Sequence, residues 1–273
     1  MIVFSRLSIK PSSEEYPFRA PEYVENEAKD LFRKLSKYCI HEEMMLLLLP
    51  VESEDYKKVK TFISKYPQYF DSFLELYERK YSKSEIEKAE YFVLRVENLV
   101  YISSIDDVYE YCCKNRCFVV NQKTNFRIET KSMKNKDLGF TTNYRFVVSE
   151  RMKNIIEENE ITNVKFLPVY QTKKDTIVAY QIEPDELMPE VSNINNWNVY
   201  LNCDISGEKV YDPNNMNQFT VRKELVNRLH DFNATKEIFT ELGAHNYIIS
   251  RKMFDLIKRQ NIKHLKCEPI KII

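Results

Sequence analysis

The feature that most constrains this chain is an internal repeat. Phe146–Val169 and Tyr247–Ile270 align without a gap at a constant offset of 101 residues. Six positions are identical: Ser149/Ser250, Met152/Met253, Ile156/Ile257, Ile161/Ile262, Lys165/Lys266 and Pro168/Pro269. Apolar residues also coincide at Val147/Ile248, Val148/Ile249, Ile155/Leu256, Val164/Leu265 and Val169/Ile270. A chain that carries one apolar spacing twice has to bury it twice, in two like units.

The spacing predicts a strand, a helix and a second strand in each copy. Phe146–Val148 reads as a short buried strand. Ser149 then falls where a helix N-cap belongs, its hydroxyl placed to accept a free backbone N–H. Met152, Ile155 and Ile156 recur at i, i+3 and i+4, one face of a helix. Val164, Phe166 and Leu167 open the return strand, which Pro168 confines to an edge or a strand end. Ser250, Met253, Leu256 and Ile257 take the same roles in the second copy. No glycine flanks either serine, so Ser149 and Ser250 are expected to be structural helix caps and not nucleophiles. Upstream, Asp137–Phe140 parallels Glu237–Phe239 one residue out of register, which extends the repeat units to about residues 137–169 and 237–270.

The remainder gives the fold class. Glu22–Tyr38, Asp55–Tyr66 and Asp71–Tyr81 carry apolar residues at helical spacing, and Ser84–Glu87 fits a capping box. The run Met44–Leu49, closed by Pro50, reads as a buried helix end. After Ala89 the texture turns β-rich, as in Tyr91–Val96, Leu99–Ile102, Cys117–Val120, Phe126–Ile128, Thr176–Ile182 and Asn198–Leu201. The expected class is α+β: a mostly helical N-terminal region over residues 1–90, then a duplicated strand–helix–strand module over residues 91–273 with a mixed or antiparallel sheet.

Counting excludes several functions. The 273 residues include three glycines, Gly139, Gly207 and Gly243, where ordinary usage would supply about 19. There is accordingly no glycine-rich phosphate loop and no GxSxG elbow. Lys and Arg total 41, matching 41 Asp and Glu, which argues against general nucleic-acid binding. Lys57, Lys58, Lys60 and Lys65, interleaved with Tyr56, Tyr66 and Tyr69, sit among acids and read as a mixed solvated face. The six-residue run Met44–Leu49 is far short of the ~20 residues that cross a membrane. With no secretory signal and six cysteines, reduced thiols and a cytoplasmic location are expected.

Candidate chemistry is sparse. On a helix, Cys39 and His41 would point apart, and the run from His41 to Met45 lacks the second histidine of HExxH. Cys113, Cys117 and Cys203, with His230 or His245, are weak candidates for a metal site, because only one pair is closely spaced. No cofactor or metal is expected. Asp106–Asp107 and Glu157–Glu158 read as loop or exposed helix charge, and His230 and His245 stand alone.

The order of these elements resembles bacterial immunity proteins of polymorphic toxin systems, in particular the double-CxxCG and related families. The resemblance rests on a cysteine-centred turn, an acidic–hydrophobic–Phe step, the apolar–apolar–Ser helix start and the Lys–x–x–Pro end of each copy. Cys203–Gly207 keeps the first cysteine and the glycine of a CxxCG turn but has Ser206 in place of the second cysteine, and Cys112–Cys117 keeps cysteines without that spacing. The resemblance covers residues 90–273 and implies a non-enzymatic cytoplasmic protein that neutralises a cognate toxin domain by direct binding, without nucleic-acid or membrane partners. The alternative is an enzyme or nucleic-acid-processing protein whose site is assembled from scattered Cys, His and carboxylate residues.

Overall fold

A computed structural model describes residues 1–11, 20–70, 76–96, 99–102, 108–111, 119–142, 144–202, 207, 209–211, 218–239, 244–262 and 265–273. The fold is mixed α+β with several sheets. The chain divides into two compact units, Met1–Lys83 and Ser84–Pro213 with Asn217–Ile273. No helix among the described residues is long and apolar enough to cross a membrane.

The first unit is a four-stranded antiparallel sheet with two helices. Its elements are β1 (Ile2–Ser8), α1 (Glu22–Lys34), β2 (Cys39–His41), β3 (Leu46–Pro50), α2 (Glu54–Lys65) and β4 (Leu76–Lys80), with strand order β2-β3-β1-β4. Leu7 and Ile9, at the end of β1, and Leu47 and Leu49 of β3 meet Val24 and Ala28 of α1 and Val59, Phe62 and Ile63 of α2 in one core. Burying each such leucine contributes ~2 kcal/mol. Ser53 caps α2, its hydroxyl accepting the Tyr56 N–H at 3.1 Å.

A mostly helical N-terminal region is therefore not what forms. The run expected to end a helix is the strand β3, with Leu47 and Leu49 fully buried and Leu46 and Leu48 half-buried. A short apolar run has no period of its own, and here the antiparallel pairing Leu7↔Leu47 and Ser5↔Leu49 decides it. Leu76–Lys80, also expected to be helical, pairs with β1 instead; residues 71–75 lie outside the described residues.

The second unit opens with α3 (Lys83–Lys88), β5 (Tyr91–Val96), β6 (Leu99–Val100), β7 (Tyr109–Tyr111), β8 (Val119–Gln122) and β9 (Arg127–Ile128). The first repeat follows as β10 (Leu138–Thr141), β11 (Phe146–Val148), α4 (Glu150–Glu158), β12 (Lys165–Gln171) and β13 (Ile177–Glu183). After β14 (Val199–Asn202), β15 (Lys209–Tyr211) and β16 (Thr220–Val221) comes the second repeat: β17 (Phe232–Ala234), β18 (Tyr247–Ser250), α5 (Arg251–Arg259) and β19 (Leu265–Pro269), then β20 (Lys271–Ile272).

The two repeats share one register. In the sheet β6-β10-β11-β13-β12-β9, Ile182 of β13 lies between Phe146 and Phe166, antiparallel to both. In the sheet β17-β18-β5-β19, Leu94 of β5 lies between Tyr247 and Cys267, again antiparallel to both. Residues 146 and 247, and 166 and 267, keep the offset of 101. Each repeat is thus a parallel strand–helix–strand unit split by one antiparallel strand. That strand follows the first repeat as β13 but precedes both repeats as β5.

The upstream hairpin corrects the alignment. Leu138 pairs with Val148 and Phe232 with Ile249. The counterpart of Asp137–Phe140 is therefore Asp231–Ala234, at an offset of 94, with seven extra residues in the second hairpin turn; Glu237–Phe239 lies inside that insertion. Pro168 sits within β12, but on that side only Tyr170 and Gln171 meet β9, so its missing N–H leaves no ladder bond unmade.

Inward residues of both sheets and both helices build one shared core, including Phe92, Leu94, Phe146, Met152, Ile156, Tyr247, Met253 and Ile257. Arg251, the first residue of α5, locks β5 into it. Its guanidinium donates to the carbonyls of Ile86 and Ala89 at the end of α3 and stacks 4.7 Å over the Phe92 ring. On the far face of the first sheet, a bridge from Ile102 to Ile128 joins the edge strands and closes the sheet around Val100, Phe126, Ile128, Val147, Val169 and Ala179. Gly139 lies where β10 passes that inner core. A Cβ there would stand 2.5 Å from Val100 Cγ2 and 3.3 Å from Met133 Sδ. Gly139→Ala is expected to destabilise the second unit by ~1–3 kcal/mol, read as a lower urea midpoint with an unchanged slope; an unchanged midpoint refutes this packing.

Candidate functional site

The repeat builds the same polar cluster twice. In the first copy the Ser149 hydroxyl accepts the Met152 N–H at 3.1 Å and donates to Asp137 Oδ1 at 2.8 Å. Arg151, the second residue of α4, donates to both oxygens of Asp137. In the second copy the Ser250 hydroxyl accepts the Met253 N–H at 3.3 Å and donates to Asp231 Oδ1 at 2.6 Å. Lys252 reaches Asp231 Oδ2 at 3.4 Å. The backbone repeats as well, with the Ser149 and Ser250 N–H groups bonded to the carbonyls of Asp137 and Asp231. Each cluster thus pins the start of a helix to the strand paired beside the one that leads into it.

The cations also tie the helices together. Arg151 Nη1 donates to Gln260 Oε1 at the end of α5, and Lys252 Nζ donates to the Glu160 carbonyl just past α4. The helices therefore lie antiparallel, each giving a positive charge to the other's negative end. Thr162, after α4, exchanges hydrogen bonds with Asp231 through both its N–H and its hydroxyl.

Both aspartates are held in their charged form. Hydrogen bonds from Arg151, and then Ser149, hold the Asp137 pKa below the usual carboxylate value. Burial alone would raise Asp231, but Ser250, Thr162 and Lys252 together bring it below its ordinary value too. A general base works best with a pKa near the operating pH, and these two carboxylates are tuned the other way.

The inserted turn of the second repeat holds a different cluster. Glu237 is buried; its Oε1 accepts the Val191 N–H at 2.8 Å, while Oε2 has no hydrogen-bond partner among the described residues. Burial pushes its pKa up. His245 Nδ1 lies 3.3 Å from the Glu237 carbonyl, not its carboxylate, and burial with the nearby Arg145 charge lowers the imidazole to about 4. Glu237 borders a cavity of about 260 Å³ with Glu190, Lys209, Tyr211, Lys236 and Ile238. In the first unit a groove of about 720 Å³ runs between α1 and α2 over Leu31 and Phe62. Several of its charges are paired, as in Lys57–Glu54 and Lys65–Glu27.

Of the residues singled out by sequence, Cys113, Cys117 and Cys203 lie outside the described residues, as do Cys112 and Asp106–Asp107. Among the described residues no three His, Cys, Asp or Glu side chains converge as metal ligands. Cys267 is a free thiol that burial pushes up to about 12. Cys39 and His41 belong to a strand and not to a helix. A bulge separates them; Cys39 packs against the first unit's core, and His41 Nδ1 accepts the Met44 N–H of the turn. His230 is exposed, and Glu157 pairs with Lys153 along α4. Sequence reasoning missed the two aspartates and their cations. Arg151 and Lys252 stood at the repeat offset, but Asp137 and Asp231 do not, because of the insertion.

Compared with known proteins, the chain matches no family model, and no curated protein is significantly similar to it, so the duplicated cluster rests on its geometry. Ser149→Ala and Ser250→Ala are each expected to cost ~1–2 kcal/mol of stability in denaturant titrations; a neutral result removes the capping role. The two carboxylates of opposite tuning give opposite pH slopes. Asp137, depressed when folded, contributes stability that is present above its unfolded pKa and lost as pH falls through the folded value. Glu237, raised when folded, contributes stability that is present below its unfolded pKa and lost as pH rises through the folded value. Relative to wild type, Asp137→Asn should flatten the acid limb below pH 3.8 and Glu237→Gln the decline above pH 4.5; parallel curves for all three proteins contradict both assignments.

Proposed function

We propose that this chain is a non-enzymatic binding protein, an immunity protein that neutralises a cognate bacterial toxin domain in the cytoplasm by docking on it. The observation that carries this reading is that the serines that open the two repeated helices are committed to folding. Ser149 and Ser250 each donate and accept within their own repeat, beside carboxylates whose own hydrogen bonds hold them below the usual carboxylate pKa. The toxin enters through the resemblance of Cys203–Gly207 and the two helix starts to the double-CxxCG immunity proteins. A net charge of zero suits a partner recognised by shape and by locally segregated charge over one recognised as a polyanion.

Co-expression tests the proposal. The toxin domain encoded beside this chain's gene should kill cells when expressed alone, be tolerated with this chain, and co-purify with it as a complex. A toxin that stays lethal and elutes separately from the folded chain sinks the reading.

A further inference from the structure

The turn between β10 and β11 carries an aromatic side chain in a conformation that side chain disfavours. Tyr144 has a φ of +64°, the left-handed region where glycine or asparagine is at ease and a bulky aromatic residue is strained. The turn is held on both sides. The Tyr144 N–H bonds to the Thr141 carbonyl, and the Thr141 hydroxyl donates to the Arg145 carbonyl and accepts the Arg145 N–H. Strain that the surroundings enforce collects at functional positions. Here it presents a tyrosine ring to solvent, 41% exposed.

Two more large side chains stand beside it. Leu99 pairs with Phe140 in the parallel ladder β6–β10, and Thr142 N–H bonds to the Val100 carbonyl. Val100, fully buried, points into the sheet's closed interior, so Leu99 and Tyr101 share the opposite face; they are 50% and 66% exposed. The patch is rigidly backed. Ring centroids step from Tyr247 to Phe146 at 4.5 Å, to Phe140 at 5.0 Å and to Tyr144 at 5.8 Å, a continuous ladder from the shared core to the surface. Rigid aromatic anchors of this kind lose little side-chain freedom on binding, and exposed apolar groups clustered together mark interaction sites.

The flank is basic. Lys136 Nζ donates to the Leu99 carbonyl at 3.2 Å. Lys134 and Lys136 share one segment; Lys131 is paired with Glu129 at 2.7 Å, and the next acid, Asp137, is taken by Arg151. We propose that Leu99, Tyr101 and Tyr144 form the patch through which this chain grips its protein partner, and that the partner offers an acidic surface with an apolar recess there. The proposal rests on the immunity reading and adds to it the gripping surface and the partner's charge.

The test uses the full chain and the toxin domain encoded beside its gene. A photo-crosslinking phenylalanine analogue is placed at position 144, at 101, and at the exposed Tyr23 of α1 as a control. Crosslinks to the toxin are expected at 144 and 101 and not at 23. Tyr101→Ser combined with Tyr144→Asn should weaken binding by roughly a hundredfold or more, as for two central aromatic anchors. Tyr144→Asn alone should hold or raise the melting temperature, because asparagine tolerates the left-handed region; loss of binding in that variant is then not unfolding. Unchanged affinity in the double variant, or a crosslink at 23 alone, overturns the patch and leaves the immunity reading standing. A wild-type chain that does not bind the toxin overturns both. If the patch variants instead abolish binding to a mixed-sequence single-stranded RNA, and toxin binding is unaffected, the patch belongs to nucleic acid and the proposal is wrong.

Discussion

The second unit depends on one antiparallel strand set between two parallel ones. In each repeat the strands before and after the helix run the same way but do not touch, because β13 or β5 separates them. That middle strand satisfies the facing backbone groups of both neighbours, so neither half-ladder is complete without it. In the first repeat the chain turns straight back from β12 to β13. In the second, the strand comes from the opening of the unit, and Phe92 pairs with Pro269 across most of its length. Contacts of such long sequence separation form late and slow folding. The Arg251 clamp on α3 and Phe92 supplies the side-chain hold that such a pairing needs.

The paired polar clusters serve the same end by different chemistry. A strand that stops at a helix leaves backbone N–H groups without partners. Ser149 and Ser250 cover one such group each, and Asp137 and Asp231 fix the rotamers of those serines. The carboxylates then need charge balance, which Arg151 and Lys252 supply while reaching across to the opposite helix end. Arg151 grips its aspartate with two nitrogens, and Lys252 meets its own with one. The guanidinium fork suits a carboxylate better than a single ammonium does, and in the second cluster the Thr162 N–H and hydroxyl add the contacts that the lysine lacks.

Much of the second unit was legible because duplication makes a pattern its own control. The strand–helix–strand order, the serines at the helix starts and the apolar faces were all readable from two aligned segments. The central strand was not, since β5 and β13 sit on opposite sides of their repeats and no constant offset connects them. The aspartates escaped for a related reason, the seven-residue insertion between them and their serines. In the first unit the obstacle was periodicity. Leu46–Leu49 satisfies a helix face or a strand interior equally, and only its pairing with Ser5–Ser8 decides between them. Cys39 and His41 show the cost of the wrong element: the reason for separating them was helical geometry, whereas a bulge and the burial of Cys39 do so here.

What duplication preserved and what it let drift are sharply divided. The register of the middle strand, the helix cap and its aspartate are the same in both copies, and each is required for the sheet to close on its helix. The hairpin turn differs completely. In the first copy it is tight enough to force Tyr144 into the left-handed region. In the second it is longer by seven residues and folds inward, burying Glu237 and holding His245 against the Glu237 backbone. Connections vary in length and charge more readily than the strands and helix they join, and the second turn adds Phe239 to a core of its own. Its two forms differ in what they bury: the first leaves Tyr144 41% exposed, and the second takes the Glu237 side chain out of solvent.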